Sequence, residues 1–280
     1  MADAPLNWIA MIDCLSRTRR FVDPASRPVS FAASEVRIVR PAVIIRACGS
    51  LSRWRSKQQR RHSMMELYYG AGACSFVPHV GLEAIKAATG EGFEPRAIKL
   101  HKGEQHSPEY LALNPLGLVP LLVVDGKPLS QILAICDYLD RRYPQAGLLP
   151  ADPWQRAQAM STFAWMNNTV HPTFTHIFRP GNFAEGEAAQ TEVKRLATEK
   201  FRGHLERIQV MAEKAAPFLL GDKLSFVDAY ALVFLRWGGL AGIDPASLPG
   251  YRAYVERLAA VPPVAAAMAR EGINLETYRK

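Results

Sequence analysis

The order of apolar and polar positions after residue 64 divides this part of the chain into an α/β half and an all-helical half. Short apolar runs predict strands over 66–69, 94–100 and 121–124, and the hairpin signal Asp125-Gly126 leads into a short return strand at Pro128-Leu129. Helical periodicity predicts helices over 76–89, 108–113 and 131–143. The predicted order is therefore strand, helix, strand, short helix, strand, strand, helix.

Beyond residue 143 the strand patterns stop. Prolines and glycines between 144 and 153 predict a linker. The patterns that follow are all helical, over 154–170, 188–216, 225–237, 249–260 and 263–270. Ser225 stands three residues before Asp228, the spacing of a capping box with Asp in place of Glu. We therefore predict an α/β domain over 65–145 and an all-helical domain over 152–280.

The first 63 residues carry the excess positive charge of the chain. They hold 11 Arg and one Lys against three Asp and one Glu, and the remaining residues balance at 22 basic and 22 acidic. Residues 1–64 are interpreted as a basic extension, disordered if translated, or as upstream sequence with the true start at Met64 or Met65. A transit peptide or a nucleic-acid-binding arm remains an alternative for this segment. The balanced charge of the remainder does not favour nucleic-acid binding by the globular part.

Cys74 lies where the first predicted strand gives way to the first predicted helix. Small residues from Gly70 to Ala73 interrupt the strand, and Ser75 is suited to the N-cap of the helix. The free N–H groups and the dipole of a helix N-terminus favour an anion. A thiol at such a position can have its pKa lowered to about 3.5–7.5. Cys74 is thus a candidate nucleophile or thiol partner, and the alternative is a small buried apolar residue.

Cysteine usage and hydropathy limit the cellular setting. The four cysteines, at 14, 48, 74 and 136, form no CxxC pair and have no metal-ligand spacing. Such a pattern favours a reducing compartment, and we expect a cytoplasmic protein without a metal ion. No uncharged apolar run reaches the roughly 18 residues that a membrane span needs, so no membrane association is expected.

Six motifs follow one another in this part of the chain: Tyr69-x-x-Gly72-Ala73-Cys74-Ser75, Asn114-Pro115-x-Gly117-x-Val119-Pro120, Ala134-Ile135-x-x-Tyr138-Leu139, Phe178-Arg179-Pro180, Asp228-Ala229-Tyr230 and Leu235-Arg236-Trp237. In this order they resemble the motifs of the cytosolic glutathione transferases, and the first resembles that of their bacterial beta class. The resemblance covers residues 65 to about 275. It implies a thioredoxin-like N-terminal domain followed by an all-α domain. It also implies twofold homodimers that use glutathione as co-substrate and conjugate it to small electrophiles.

The resemblance also assigns expected roles to residues. Cys74 and His171, at the predicted end of the helix 154–170, would be catalytic and would face each other across the domain cleft. The expected glutathione-binding residues are Tyr69, Lys102, Val119, Pro120, Gln131, Ile132 and Asn168. The Val119-Pro120 bond is expected to be cis, which turns the Val119 backbone toward an extended peptide. An apolar second pocket is expected from Phe163, Met166, Phe174 and Trp237, residue types that equally form an ordinary core.

Three positions depart from the family pattern. Gln131 replaces an acidic residue, Ile132 a small one, and Pro172 a basic one that often follows the histidine. Two further hypotheses therefore stand beside a transferase. One is a non-catalytic interaction module on the same fold, and the other is a glutathione-dependent thiol-disulfide reductase that uses Cys74 alone.

Overall fold

A computed structural model describes residues 64–278. The interpretations of residues 1–63 given above lie outside this range. The strands are β1 (Met65–Tyr69), β2 (Glu94–Ala97), β3 (Leu121–Val124) and β4 (Lys127–Ser130). The helices are α1 (Phe76–Thr89), α2 (Pro108–Leu113), α3 (Ile132–Arg142), α4 (Pro153–Trp165), α5 (His171–Phe178), α6 (Glu187–Glu213), α7 (Phe226–Leu240), α8 (Pro249–Ala259) and α9 (Pro262–Glu271).

The four strands form one mixed sheet in the order β2-β1-β3-β4. β1 is parallel to β2 and antiparallel to β3, and β3 and β4 form the predicted hairpin through Asp125-Gly126. Alternate residues of β1 are buried, so Met65, Leu67 and Tyr69 enter the main core on one face. A smaller cluster around Tyr110 of α2 covers the other face. The sheet with its flanking helices is the predicted thioredoxin-like arrangement.

Helix α1 joins the sheet domain to the helical half, because it contacts α3 of the former and both α7 and α9 of the latter. Its first ten residues are all buried. Gly81 makes this close packing possible, since a Cβ there would lie 2.3 Å from the Phe226 ring of α7. One continuous apolar core therefore runs from the sheet into the helices.

Some predicted element ends are wrong. β2 ends at Ala97, and short 3₁₀ turns follow where the strand was expected to reach residue 100. Ser75 has helical backbone angles, and its hydroxyl bonds to Gly70 instead of capping α1. Ser130 is the last residue of β4, and Gln131, with φ of +75°, precedes α3. Prediction was more successful at α2, whose Ser107 hydroxyl accepts the Tyr110 N–H as a side-chain cap.

The first helix of the helical half does not end near residue 170 as predicted. A π-helical turn, Met166–Val170, leads directly into α5, and the His171 N–H donates to the Met166 carbonyl five residues back. Pro172 explains this turn, because proline lacks an N–H and its ring crowds the carbonyl four residues earlier. The widened turn accommodates the ring within a continuous helical path.

Helix α7 contacts α1, α4, α6 and α8 and is buried along almost its whole length. The predicted capping box is confirmed, since Ser225 and Asp228 bond reciprocally at its start. Within residues 64–278, no helix combines the length and apolar character that crossing a membrane requires.

Candidate active site

A cavity of about 300 Å³ lies between the sheet half and the helical half. The turn after β1, the loop before β3, the start of α3 and the α4–α5 region all contribute to it. The lining residues are Cys74, Asn114, Leu116, Leu118, Val119, Pro120, Ser130, Gln131, Ile132, Asn167, His171, Pro172, Thr175, His176 and Phe183. The volume is at the lower end of the range for small-molecule sites. The cavity thus brings together residues that lie far apart in the sequence.

Cys74 lines this cavity with a buried, neutral thiol. Its Sγ donates to the Val119 carbonyl at 3.5 Å. Burial raises the pKa of Cys74 to about 12, and the backbone N–H groups of Cys74 and Ser75 lower it only in part. The lowered pKa that a helix N-terminus can give a thiol is therefore not found at Cys74. At neutral pH Cys74 is a hydrogen-bond donor.

The turn that carries Cys74 is fixed from the helical half through Gly72. The Gly72 N–H donates to Glu271 Oε2 at 2.8 Å, and the Gly72 carbonyl accepts from Trp237 Nε1 at 3.1 Å and from Arg236 at 3.5 Å. Gly72 has φ of +69°, and a Cβ there would lie 2.6 Å from the Arg236 guanidinium. Sequence reasoning missed Glu271 as a support of this turn. No local pattern marks it, because it lies 199 residues away.

His171 reaches the cavity from the first turn of α5. Its Nδ1 lies 2.6 Å from the Tyr230 hydroxyl oxygen, and its ring packs edge-on against Trp237 with centroids 4.9 Å apart. Burial lowers the pKa of His171 to about 4. The imidazole is therefore neutral at pH 7, and it begins a helix instead of ending one.

The asparagine at the cavity is Asn167, and the expectation for Asn168 is wrong. Asn167 lines the cavity and its Oδ1 accepts from the Tyr230 hydroxyl at 3.3 Å. Asn168 is exposed and accepts from the Asn167 side chain. The π-helical turn changes which side chain faces inward, because each residue there turns through a smaller angle than in an α-helix.

Four of the expected glutathione-binding residues line the cavity: Val119, Pro120, Gln131 and Ile132. The Val119-Pro120 bond is cis, as predicted. No side chain caps α3, whose first N–H groups follow Gln131. The cavity therefore combines a thiol with a helix N-terminus that has no side-chain cap.

Two other expected binding residues lie elsewhere. Tyr69 is buried in the core against the His79 ring, with centroids 5.1 Å apart. Lys102 is exposed on a 3₁₀ turn and does not line the cavity. Tyr69 is buried because it lies on the inward-facing side of β1, and Lys102 is exposed because β2 ends early and a 3₁₀ turn follows.

The residues expected to form an apolar second pocket do not line the cavity either. Its predicted residues Phe163, Met166, Phe174 and Trp237 are core side chains, so the ordinary-core alternative holds for them. The outer wall instead contains Leu116, Leu118 and a stacked pair, His176 and Phe183, whose centroids are 3.7 Å apart. In the described part of the chain, no group of three or more His, Cys, Asp or Glu side chains is placed to hold a metal ion.

Comparison with solved structures supports the same architecture. A glutathione transferase homologue from Sulfitobacter, solved with bound glutathione, aligns with a TM-score of 0.68 and 26% identity, covering 75% of this chain and 99% of its own. The bacterial beta class glutathione S-transferase of Sphingomonas chungbukensis aligns with a TM-score of 0.64 and 30% identity, covering 75% of this chain and all of its own.

The sequence comparisons agree with this. Family models match over both halves, "Glutathione S-transferase, N-terminal domain" at residues 65–141 and "Glutathione S-transferase, C-terminal domain" at residues 165–262. Glutathione S-transferase GST-4.5 of Xanthomonas campestris pv. campestris is 34% identical over 211 residues, which are 75% of this chain and all of the relative. On these grounds, the chain belongs to the glutathione S-transferase family of enzymes, and its neighbours include the bacterial beta class.

Proposed function

We propose that the protein binds glutathione in the cavity with its sulfur beside Cys74 and transfers it to small electrophiles. The observation that carries this proposal is that the Cys74 thiol and the His171 imidazole line one cavity. Both groups are neutral at pH 7, since burial raises the pKa of the thiol and lowers that of the imidazole. Neutral donors stabilise a thiolate ligand without introducing a competing negative charge.

The peptide part of glutathione has matching partners in this proposal. Its backbone pairs with Val119 beside Pro120 in the manner of an added strand. The γ-glutamyl carboxylate accepts from the first N–H groups of α3, which follow Gln131 and begin with that of Ile132. With these contacts, the glutathione thiol would lie between Cys74 and His171.

In this proposal the Cys74 S–H turns from the Val119 carbonyl to the glutathione sulfur, which leaves that carbonyl to the peptide. A thiol with a pKa of about 12 is almost fully protonated at pH 7. For the same reason the thiol-disulfide reductase alternative is disfavoured, because exchange is fastest when the attacking thiol has a pKa near the ambient pH. The electrophile would lie against the outer wall formed by Leu116, Leu118 and Phe183, which is largely apolar.

Calorimetry with glutathione and turnover of chlorodinitrobenzene test the proposal. We expect wild-type protein to bind glutathione, and we expect Cys74→Ala to lower turnover about tenfold through loss of one donor. Cys74→Ser retains a donor and should keep more of the activity than Cys74→Ala. Cys136→Ala is the matched control, because Cys136 is also a buried free thiol but does not line the cavity.

Failure would be clear in these measurements. Wild-type protein that gives no heat with millimolar glutathione and no turnover would contradict the proposal. That result would favour the non-catalytic interaction module, for which the replacements Gln131, Ile132 and Pro172 are the supporting observations.

The assembly and cellular setting belong to the same proposal. We expect a twofold homodimer in the cytoplasm, with domains over 65–145 and 152–280, as in the family that the motifs resemble. Light scattering after size exclusion would separate a dimer from a monomer.

A further inference from the structure

Three polar side chains form a short chain behind the cavity wall. The Tyr230 hydroxyl lies 2.6 Å from His171 Nδ1 and 3.3 Å from Asn167 Oδ1. Tyr230 is fully buried on α7, whereas His171 and Asn167 both line the cavity. The single hydroxyl proton of Tyr230 therefore decides which ring nitrogen of His171 carries a proton.

The two distances favour the shorter contact for that proton. An imidazole nitrogen is a strong acceptor and a phenol is a strong donor, so the 2.6 Å separation fits an O–H···N bond from Tyr230 to His171. The 3.3 Å separation to Asn167 makes the amide oxygen a second and weaker acceptor of the same hydroxyl. A neutral imidazole that accepts at Nδ1 has its proton on Nε2.

We propose that Tyr230 is a positioning residue that holds His171 in its Nε2–H form, so that the imidazole presents a donor to the sulfur in the cavity. The inference rests on the proposed function for the identity of that sulfur. The opposite tautomer would present a lone pair to a thiolate, which is repulsive. The Tyr230 hydroxyl therefore selects the useful form of His171.

The protonation states of both residues fit this role. Burial lowers the pKa of His171 to about 4, so the imidazole stays neutral at pH 7 and has only one proton to place. Burial also raises the pKa of Tyr230 well above its usual value, so the phenol keeps its proton. When glutathione ionises, its thiol proton leaves to solvent, and the thiolate accepts hydrogen bonds from Nε2–H and from the Cys74 thiol.

The ring of Tyr230 has a separate structural role that a substitution can preserve. It stacks on Phe234 with centroids 4.4 Å apart and meets Phe163 edge-on at 6.0 Å. Tyr230→Phe keeps these contacts and removes only the hydroxyl. Tyr251→Phe is the matched control, because Tyr251 is also fully buried and its hydroxyl donates to the Ala231 carbonyl at 2.5 Å.

Nitrogen NMR of the histidine rings tests the tautomer directly, without ligand. In wild-type protein the His171 signals, assigned by their loss in His171→Leu, should show a protonated Nε2 and an unprotonated Nδ1. In Tyr230→Phe the two forms should mix, whereas Tyr251→Phe should match the wild type. A wild-type ring protonated at Nδ1, or an unchanged ring in Tyr230→Phe, would overturn the inference.

A double-mutant comparison tests whether Tyr230 acts through His171. We expect Tyr230→Phe to lower kcat about five- to tenfold with the glutathione KM within about twofold, the scale of one lost hydrogen bond. Adding Tyr230→Phe to His171→Leu should give no further loss. Additive losses would contradict a positioning role. Wild-type protein that fails to bind glutathione would refute the proposed function instead, and the NMR result would still decide the tautomer.

Discussion

Glu271 at the end of α9 provides the most direct test of how the helical half supports the Cys74 turn. Its Oε2 accepts the Gly72 N–H at 2.8 Å, and its Oε1 lies 2.7 Å from His79 Nδ1. The side chains of Glu271 and His79 are both completely buried. We predict that Glu271→Ala strongly destabilises the protein, because it leaves two buried polar nitrogens without an acceptor.

The magnitude follows from these two contacts. Each unsatisfied buried group costs about 1–3 kcal/mol, so we expect a loss of about 4 kcal/mol of unfolding free energy. Helix propensity does not add to this loss, since alanine is the best helix former. In Glu271→Gln the amide oxygen can accept the Gly72 N–H while the amide NH₂ donates to Nδ1 of His79. The His79 proton then moves to Nε2, a buried atom without a hydrogen-bond partner, so about half of the loss should remain.

Urea unfolding at fixed protein concentration measures these differences. Glu256→Ala is the control, because Glu256 is an exposed carboxylate paired with Arg252 one turn away at 2.8 Å, and it should unfold like the wild type. A Glu271→Ala protein within about 1 kcal/mol of the wild type would refute the reasoning. So would a Gln variant as unstable as the Ala variant, because the amide would then satisfy neither partner.

Three further outcomes follow from the buried groups. Because burial raises the pKa of Cys74 to about 12, its alkylation by iodoacetamide at pH 8 should be much slower in folded than in urea-unfolded protein. Mass spectrometry follows this reaction, and equal rates in the two states would contradict the burial of the thiol. His171 has a folded pKa of about 4, below the usual 6.5 of an unfolded chain, so its contribution to stability is present above pH 6.5 and is lost as the pH falls toward 4. The loss of unfolding free energy reaches about 3 kcal/mol. In His171→Leu, the unfolding midpoints measured across this pH range should not show this loss. Asp228→Ala should lower the free energy of unfolding by about 4 kcal/mol in a thermal melt. The Asp228 carboxylate accepts the Ser225 N–H at 2.7 Å, the Leu219 N–H at 2.8 Å and the Tyr254 hydroxyl, and the variant leaves these donors without it. A loss as small as that of an exposed carboxylate would contradict this prediction.

The sequence alone determined the order of the elements and the family. The hairpin at Asp125-Gly126, the short helix α2 and the capping box of Ser225 and Asp228 were all predicted, because each depends on residues a few positions apart. The resemblance also predicted the cis bond before Pro120. Local chemistry is sufficient for features of this kind.

Only the tertiary structure decided the properties of the site. The raised pKa of Cys74 depends on burial beneath groups distant in the chain, and the local helix N-terminus does not overcome that burial. The anchoring of Gly72 by Glu271 joins residues 199 positions apart. The π-helical turn before Pro172 exchanged Asn168 for Asn167 at the cavity, although proline usually predicts a helix end. Desolvation and long-range hydrogen bonds depend on which surfaces meet, and sequence spacing does not contain that information.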